Sequence, residues 1–405
     1  MPKLLQINAT CNWGSTGRIA EQIAVLAQNQ GWDCYTAHGA RYVRVSATET
    51  IQVSSGTDNR LHALKSLLLG GHGLGSKHST RLFIEAIKKI SPDIIQLHNI
   101  HGYYLNYLVL FDYLKTSGIP VVWTLHDCWP MTGQCTHFEL IGCEKWKSSD
   151  GCSHCPQLEA SYKTIIDRSD RNWHLKKETF TAVENLTIVT VSEWLKNIVR
   201  ESYLGGKPVK VIHNGVDLNC FKPASVTCKE LGLDEERPVV LGVSSEWGEK
   251  KGIKEFIELA KNDSYQVVMI GVTERQLKAL PPNIKVIKKT NNVQELVKYY
   301  SVADVFVNPT YEDSFPSVNI EALACGTPVI TYRTGGSPEA IDKETGIVVE
   351  QGDFKGLMRG IDMIMAKNKD ELSSICRNRA ERFYNKDDRF NDYIQLYNNL
   401  INCNL

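Results

Sequence analysis

Residues 308–330 read Asn-Pro-Thr-Tyr-Glu-Asp-Ser-Phe-Pro-Ser-Val-Asn-Ile-Glu-Ala-Leu-Ala-Cys-Gly-Thr-Pro-Val-Ile, and the carboxylates in this stretch are the groups best placed for chemistry. Asp313 sits on a proline-bounded loop after an apolar run, and Glu321 lies eight positions later inside a helix expected to start near Ser317 and stop at Gly326. A carboxylate above a strand end can accept two hydrogen bonds from the vicinal hydroxyls of a ribose. An acid near a helix start is also favoured by the helix dipole alone, so the pair needs further groups around it before it defines a site.

Three sets of residues could supply them. Lys250 and Lys251 precede Gly252 and an amphipathic helix carrying Phe256, Ile257 and Ala260. A cation at a helix start opposes the dipole and calls for an anion such as a diphosphate. Gly14, Gly17 and Arg18 read as a flexible turn leading into a helix with Ile19, Ile23, Ala24 and Ala27 on one face, without the full Gly-x-Gly-x-x-Gly fingerprint. Gly335 and Gly336, with Glu339 at the next helix start, form a comparable turn. His98 and His126 each end an apolar run, where an imidazole could polarise a sugar hydroxyl or position an acceptor. A histidine at a strand end serves as often as a structural hydrogen bonder.

A separate cluster occupies 128–156. Cys128, Cys135, Cys143, Cys152 and Cys155 share this segment with His137 and His154, in surroundings too polar and turn-rich for a core. Cys152-Ser-His-Cys155 is a knuckle-like pair, and Cys135 and Cys143 could complete a four-thiolate zinc site bracing an insertion. Unligated thiols and a redox pair are the alternatives.

The elements that must position these residues follow an α/β pattern. Apolar runs at 4–8, 34–39, 94–99, 121–127 and 186–192 alternate with helical periodicity, and carry almost no charge before their last residues. Strands buried on both faces have this composition. A second series, at 239–245, 266–272, 284–288, 304–309 and 328–332, follows a polar break at 221–238. The run 209–216 reads as a strand ending in His-Asn-Gly-Val, in the linker region between the two series. Domains at 1–213 and 214–385 are expected, with a final helix at 386–405 presenting Phe390, Tyr393, Ile394, Tyr397 and Ile401 on one face.

With 405 residues and 46 basic against 46 acidic side chains, the chain suits two domains and gives no basic surplus for a nucleic-acid partner. No stretch has the apolar length to span a bilayer, and residues 1–8 enter a strand without signal-peptide features, so a cytoplasmic location is expected. In that compartment the twelve cysteines are not expected to form structural disulfides.

Over nearly its whole length the chain resembles glycosyltransferase family 4. The resemblance rests on the spacing from Asp313 to Glu321 followed by Ala-Leu-Ala-Cys-Gly-Thr-Pro-Val, on Gly14-Ser-Thr-Gly17-Arg18, on His213-Asn214-Gly215-Val216-Asp217, on Lys250-Lys251-Gly252 and on Gly335-Gly336-Ser-Pro-Glu339. It implies the GT-B fold, two Rossmann-like parallel-sheet domains facing across a cleft with the C-terminal helix packing back on the first. It also implies retaining transfer from a UDP- or GDP-sugar, with no covalent nucleophile and no catalytic cofactor. Glu321 would bind the donor ribose and Asp313 the donor sugar, although the family has Glu at the first position and Glu312 could supply that carboxylate instead. Relatives pair an Arg with the lysine of the 242–252 loop. Here Lys250 stands in for it beside Lys251. Asn214, Ser314, Phe315, Pro316, Gly335, Gly336 and Glu339 would complete the donor site, with Gly14, Gly17 and Arg18 approaching the donor phosphates or the acceptor, His126 over the donor sugar and His98 on the acceptor side.

The region 98–104 and the cysteine segment look like bacterial exopolysaccharide and capsule transferases of the colanic-acid type. That suggests a glycan or lipid-linked glycan acceptor, reached from the inner face of a membrane through 64–69 and 72–81. The competing readings are a nucleotide-sugar epimerase or phosphorylase-like enzyme on the same architecture, and a non-catalytic sugar-binding protein.

Overall fold

The computed structural model describes residues 1–402, which divide into two α/β units: Met1–His213 together with the helical residues from Phe390, and Asn214–Arg389. The first unit is built on β1 (Lys3–Asn8), β2 (Asp33–His38), β3 (Glu49–Gln52), β4 (Ile94–Leu97), β5 (Val121–Leu125), β6 (Leu186–Thr190) and β7 (Val209–Val211). All seven are parallel, in the order β3-β2-β1-β4-β5-β6-β7. The second carries β8 (Val239–Val243), β9 (Gln266–Ile270), β10 (Lys285–Ile287), β11 (Val305–Asn308), β12 (Val329–Tyr332) and β13 (Gly346–Val349). These are also parallel, in the order β10-β9-β8-β11-β12-β13.

Both sheets are therefore doubly wound. Strand order reverses between β1 and β4 in one and between β8 and β11 in the other, and loops leaving neighbouring strands there diverge to open a crevice. The central strands are uncharged because helices cover both faces: β4, β5, β6 and β9 are buried at every position.

The structure departs from the sequence reading at several elements. The strand expected at 209–216 is shorter, Val209–Val211, and belongs to the first sheet as its seventh strand, paired with β6, with the unit boundary just after it. β3 and β13 were not anticipated. β3 is a four-residue edge strand, Glu49-Thr-Ile-Gln, with little burial to impose a pattern, and β13 is an equally short Gly-Ile-Val-Val run.

The glycine turn expected at 14–18 is the opening of the helix Gly14–Asn29. Gly14 has a left-handed φ of 68°, whereas Gly17 lies within the helix. A Cβ there would meet Thr10 Oγ1 at 2.6 Å, so Gly17 serves close packing of the helix on the preceding loop. Arg18 is exposed and donates to its own helix, from Nε to Gly14 O at 3.1 Å.

The final helix, Lys386–Asn402, buries Phe390, Tyr393, Ile394 and Tyr397 in the core of the first unit with Leu4, Ile23 and Val122, while Ile401 is partly buried against them. Tyr397 is fully buried and its hydroxyl has no hydrogen-bond partner, so its ring holds the helix down. Tyr397→Ala is expected to destabilise the protein by about 3–5 kcal/mol in denaturant unfolding, as for large buried aromatics, and Tyr397→Phe to be neutral or stabilising.

Candidate functional site

In the second unit the candidate groups gather beyond the C-terminal ends of β8 and β11. The β8 loop closes in a single turn, Glu249–Lys251, that ends at Gly252 with φ 73°. A Cβ on Gly252 would lie 2.4 Å from Pro309 Cγ, so only glycine lets this turn rest on the segment leaving β11. The backbone ties the two loops together through Tyr311 N–H to Lys250 O at 2.8 Å.

The lysines find the anions their position calls for. Lys250 Nζ meets Glu312 Oε2 at 2.5 Å, and Lys251 Nζ meets Asp313 Oδ2 at 2.7 Å while also donating to Glu312 O at 3.2 Å and Thr310 Oγ1 at 3.3 Å. The two acids differ in access: the Glu312 side chain is 3% exposed and that of Asp313 22%. Asp313 also accepts from Phe315 N–H through Oδ1 at 3.2 Å, and its carbonyl accepts from Gly336 N–H at 3.3 Å, which joins the second glycine turn to the acidic loop.

Ser314, Phe315 and Pro316 are buried and lead into the helix Ser317–Ala324, whose fifth residue is Glu321. Glu321 Oε2 accepts from Tyr300 OH at 3.1 Å. Asn214 Nδ2 reaches Phe315 O at 3.4 Å, bringing the His-Asn-Gly-Val segment to the same loop. Glu339 follows Gly336 in the turn Ser337–Ala340, and its carbonyl accepts from Tyr384 OH at 2.8 Å. Three buried oxygens around this loop, Glu312 Oε1, Ser314 Oγ and Ser337 Oγ, have no hydrogen-bond partner among the described residues. Ammonium groups, a half-open carboxylate and unsatisfied buried oxygens suit a ligand carrying both negative charge and hydroxyls.

In the first unit the two expected histidines meet. His98 and His126 directly follow β4 and β5, and His98 Nδ1 lies 3.1 Å from His126 Nε2. The protons can be placed from the partners. Gln6 Nε2 donates to Ala20 O at 2.7 Å, which leaves Gln6 Oε1 to accept from His98 Nε2–H at 2.9 Å. His98 Nδ1 then accepts from His126 Nε2–H, and His126 Nδ1 is left as an acceptor. Burial, and then each other's proximity, hold His98 well below its ordinary value. Burial lowers His126 to about 4 against the opposing pull of Asp127. Both imidazoles are neutral at pH 7, so His126 can accept a hydroxyl proton and cannot serve there as a resident cation.

The sequence reading did not assign the neighbours of this pair. His101 Nε2 lies 2.9 Å from Asp127 Oδ2, Asp127 Oδ1 accepts from Trp129 N–H at 2.9 Å, and Tyr162 OH bonds His101 Nδ1. Tyr162 also stacks on His72, with ring centroids 3.5 Å apart. His98, His101, His126 and Asp127 line one small cavity. The run Gln96-Leu-His-Asn-Ile-His contained the signal for His101, but Tyr162 lies in a loop with no pattern to mark it.

His62 is also lowered by burial to about 4, so folding keeps several imidazoles neutral that an unfolded chain would protonate at ordinary values. With folded pKa values below unfolded ones, stability is present above about pH 6.5 and is lost as pH falls toward 4. The thermal midpoint is expected to drop over that window, and His126→Gln, which keeps a donor toward His98, to remove part of the drop. A flat wild-type profile would contradict the neutral assignment.

The remaining candidates stand apart from these clusters or form another. Gly14 and Arg18 lie at the start of the helix Gly14–Asn29, where Trp13 stacks on Tyr42 at 5.8 Å and Arg44 covers Trp13 at 4.3 Å. Cys135, Cys143, Cys152 and Cys155 line a pocket of their own. Among the described residues, no three His, Cys, Asp or Glu side chains form a ready-made metal cage.

Comparison with known proteins identifies this arrangement. The sequence model described as Glycosyltransferase Family 4 matches residues 43–219, and that described as Glycosyl transferases group 1 matches 227–383. The chain is 24% identical over 344 residues to the WcaC protein of Escherichia coli (strain K12), named for glycosyl transfer in colanic acid biosynthesis, covering 79% of each chain. It is 26% identical over 296 residues to a D-inositol 3-phosphate glycosyltransferase of Mycobacterium sp. (strain JLS), covering 68% of this chain and 63% of that enzyme. A 163-residue stretch is 31% identical to the capsular polysaccharide biosynthesis glycosyltransferase CapM of Staphylococcus aureus, covering 36% and 42%. Among solved structures, sucrose-phosphate synthase of Thermosynechococcus elongatus superposes with TM-score 0.75 at 19% identity over 100% of both chains. Anabaena HepE in complex with UDP gives 0.68 at 15% over 98% and 100%. Two doubly wound parallel sheets, a Family 4 match on the first and a group 1 match on the second, make this chain a glycosyltransferase of the GT-B fold.

Proposed function

We propose that this glycosyltransferase takes a sugar from a UDP- or GDP-sugar and transfers it, with retention of anomeric configuration, to a glycan or lipid-linked glycan during assembly of a cell-surface polysaccharide. The observation that carries the donor half is the double pairing of Lys250 with Glu312 and Lys251 with Asp313, beside Glu321. Names among the relatives, colanic acid biosynthesis for WcaC and capsular polysaccharide biosynthesis for CapM, support the polysaccharide half.

In this reading Glu321 accepts hydrogen bonds from the ribose, and the lysines exchange part of their carboxylate contact for the diphosphate. Fixed ammonium groups then meet the charge that grows as the glycosidic bond breaks, and acting at a charge that develops only in the transition state accelerates the step rather than merely tightening binding. Asp313 is the first acid of the pair, because Glu312 is enclosed against Lys250 while Asp313 keeps an open edge toward sugar hydroxyls. His126, neutral with Nδ1 free of a proton, orients a hydroxyl of the donor sugar, and His98 keeps that imidazole in its tautomer. Gly335 and Gly336 bring backbone to the sugar-phosphate, and Asn214 steadies the loop at Phe315.

A panel of nucleotide-sugars tested by thermal shift and turnover checks the donor. The true donor at a hundredfold excess over its Kd should add about 2.7 kcal/mol of stability. Glu321→Ala should abolish the shift, and Lys251→Ala should lower kcat on the order of a hundredfold. Parental affinity and turnover in Glu321→Ala would falsify the ribose assignment, and epimerisation or hydrolysis without transfer would favour the rival chemistries.

The acceptor half draws on the helix Gly56–Leu69, whose amphipathicity is inverted. Asn59, His62 and Ser66 face inward, while Leu61, Leu64 and Leu69 are 55%, 51% and 58% exposed. Ile165, bonded through its N–H to Leu67 O, adds to this apolar face, and Arg60 and Lys65 lie on the same helix. No helix among the described residues is long and apolar enough to cross a membrane, so in this reading the leucines rest on a lipid surface. Co-sedimentation with anionic vesicles should fall several-fold in the Leu64→Glu/Leu69→Glu double variant, with turnover of a soluble acceptor unchanged. Equal sedimentation of both proteins would remove the membrane from the proposal.

A further inference from the structure

Sugar transfer uses none of the thiols in 128–156, yet the fold gathers them. Cys135, Cys143, Cys152 and Cys155, from successive turns with no strand between them, line a single small pocket with Lys145 and Trp146. Disulfides do not account for it, since all four are free. Nor does apolar filling, since two backbone amides are aimed at the sulfurs: Gly133 N–H donates to Cys152 Sγ at 3.2 Å, and the Gln157 amide bonds the Cys155 sulfur two residues before it. A neutral thiol is a weak acceptor, whereas a metal-bound thiolate calls for such donors. His154, between the paired cysteines, takes a left-handed φ of 46°, which folds Cys152-Ser-His-Cys155 into a tight turn.

A buried lysine lies beside the same cysteines. Lys176 is 1% exposed, and its Nζ donates to Trp129 O at 2.8 Å and Thr132 O at 3.0 Å and lies 3.5 Å from the centre of the Trp129 ring. These partners are all neutral. Burying an ammonium ion costs several kcal/mol unless an anion compensates it, at roughly the cost expected for any desolvated ion. Burial lowers Lys176 to about 7, and Cys135, Cys152 and Asp127, in that order, pull it back toward its charged form. As thiols the first two carry protons rather than charge. A divalent cation would remove those protons and leave a four-thiolate centre of net negative charge beside the ammonium.

We propose that Cys135, Cys143, Cys152 and Cys155 bind one structural zinc ion, with Lys176 as its buried counter-charge. Four S–H bonds give way to four Zn–S bonds, the protons leave to solvent, and no electrons are transferred. As free thiols the side chains do not stand in ligand positions, so capture turns the sulfurs inward about their Cα–Cβ bonds, metal binding completing the local fold. The insertion then becomes a brace for the first unit's candidate site. Gln134, next to Cys135, donates to Tyr162 O at 3.0 Å, and Tyr162 bonds His101, which pairs with Asp127.

Metal analysis of the full chain, expressed with added zinc and freed of loose metal by gel filtration, is the test. About one zinc per chain is expected, and cobalt grown in its place should show the thiolate-to-metal charge-transfer band of a tetrahedral sulfur site. The Cys135→Ser/Cys152→Ser variant should lose the metal, and Cys228→Ser, in the other unit, should keep it. Lys176→Met should weaken zinc retention against a chelator by about tenfold to a hundredfold, the usual effect of removing an outer partner. Should the cysteine variants fail to fold, the wild-type protein decides alone. Folded wild-type chain with less than about a tenth of an equivalent of zinc, or with a disulfide among the four cysteines, overturns the proposal.

Discussion

Lys250 and Lys251 stand 62 residues from the carboxylates they contact, and they meet only because β8 and β11 are neighbours in a sheet whose strand order reverses between them. That adjacency is the constraint on which the second unit's chemistry depends. Two like-charged lysines in one turn would repel each other and swing into solvent. Held against Glu312 and Asp313 they become two ordered ion pairs in fixed positions rather than mobile surface charges. Gly252 enforces the contact from below, since any side chain there would strike Pro309.

The first unit solves a similar problem with neutral groups. Gln6, His98 and His126 come from β1 and from the ends of β4 and β5, three adjacent strands, and form a directional chain that begins at Ala20 O. Because Gln6 Oε1 can only accept, it sets the tautomer of His98 and through it that of the last imidazole. Burial then keeps the imidazoles uncharged, which avoids the cost of a buried unpaired cation. The insertion after β5 lies outside this sheet and, contrary to the polar reading of its sequence, is ordered by buried apolar side chains, with Trp129, Met131 and Trp146 enclosed and Phe138 packed on Trp146.

Much of this was legible in the sequence. The alternation of uncharged runs with helical periods marked eleven of the thirteen strands, because a doubly covered parallel strand must be apolar along its length. The other two escaped for the converse reason: β3 is an exposed edge, and β13 is only four residues long. The carboxylates, the lysine pair and the two histidines were also identifiable, since spacing and residue type at strand ends are local properties.

What the chain alone determined is which residues carry charge, hydroxyls or thiols, and where each stands relative to a strand end. What only the tertiary structure decided is which of them touch. Lys251 rather than a solvent ion faces Asp313, Tyr300 bonds Glu321, Tyr162 completes the His101–Asp127 pair, and Lys176 is sealed among neutral partners beside two cysteines. The physical reason is that strand order is set by the burial of whole elements, summed over many weak contacts, whereas a site is a handful of atoms brought within about 3 Å of one another. Local sequence carries the first kind of information residue by residue, and the second exists only once the sheet has closed.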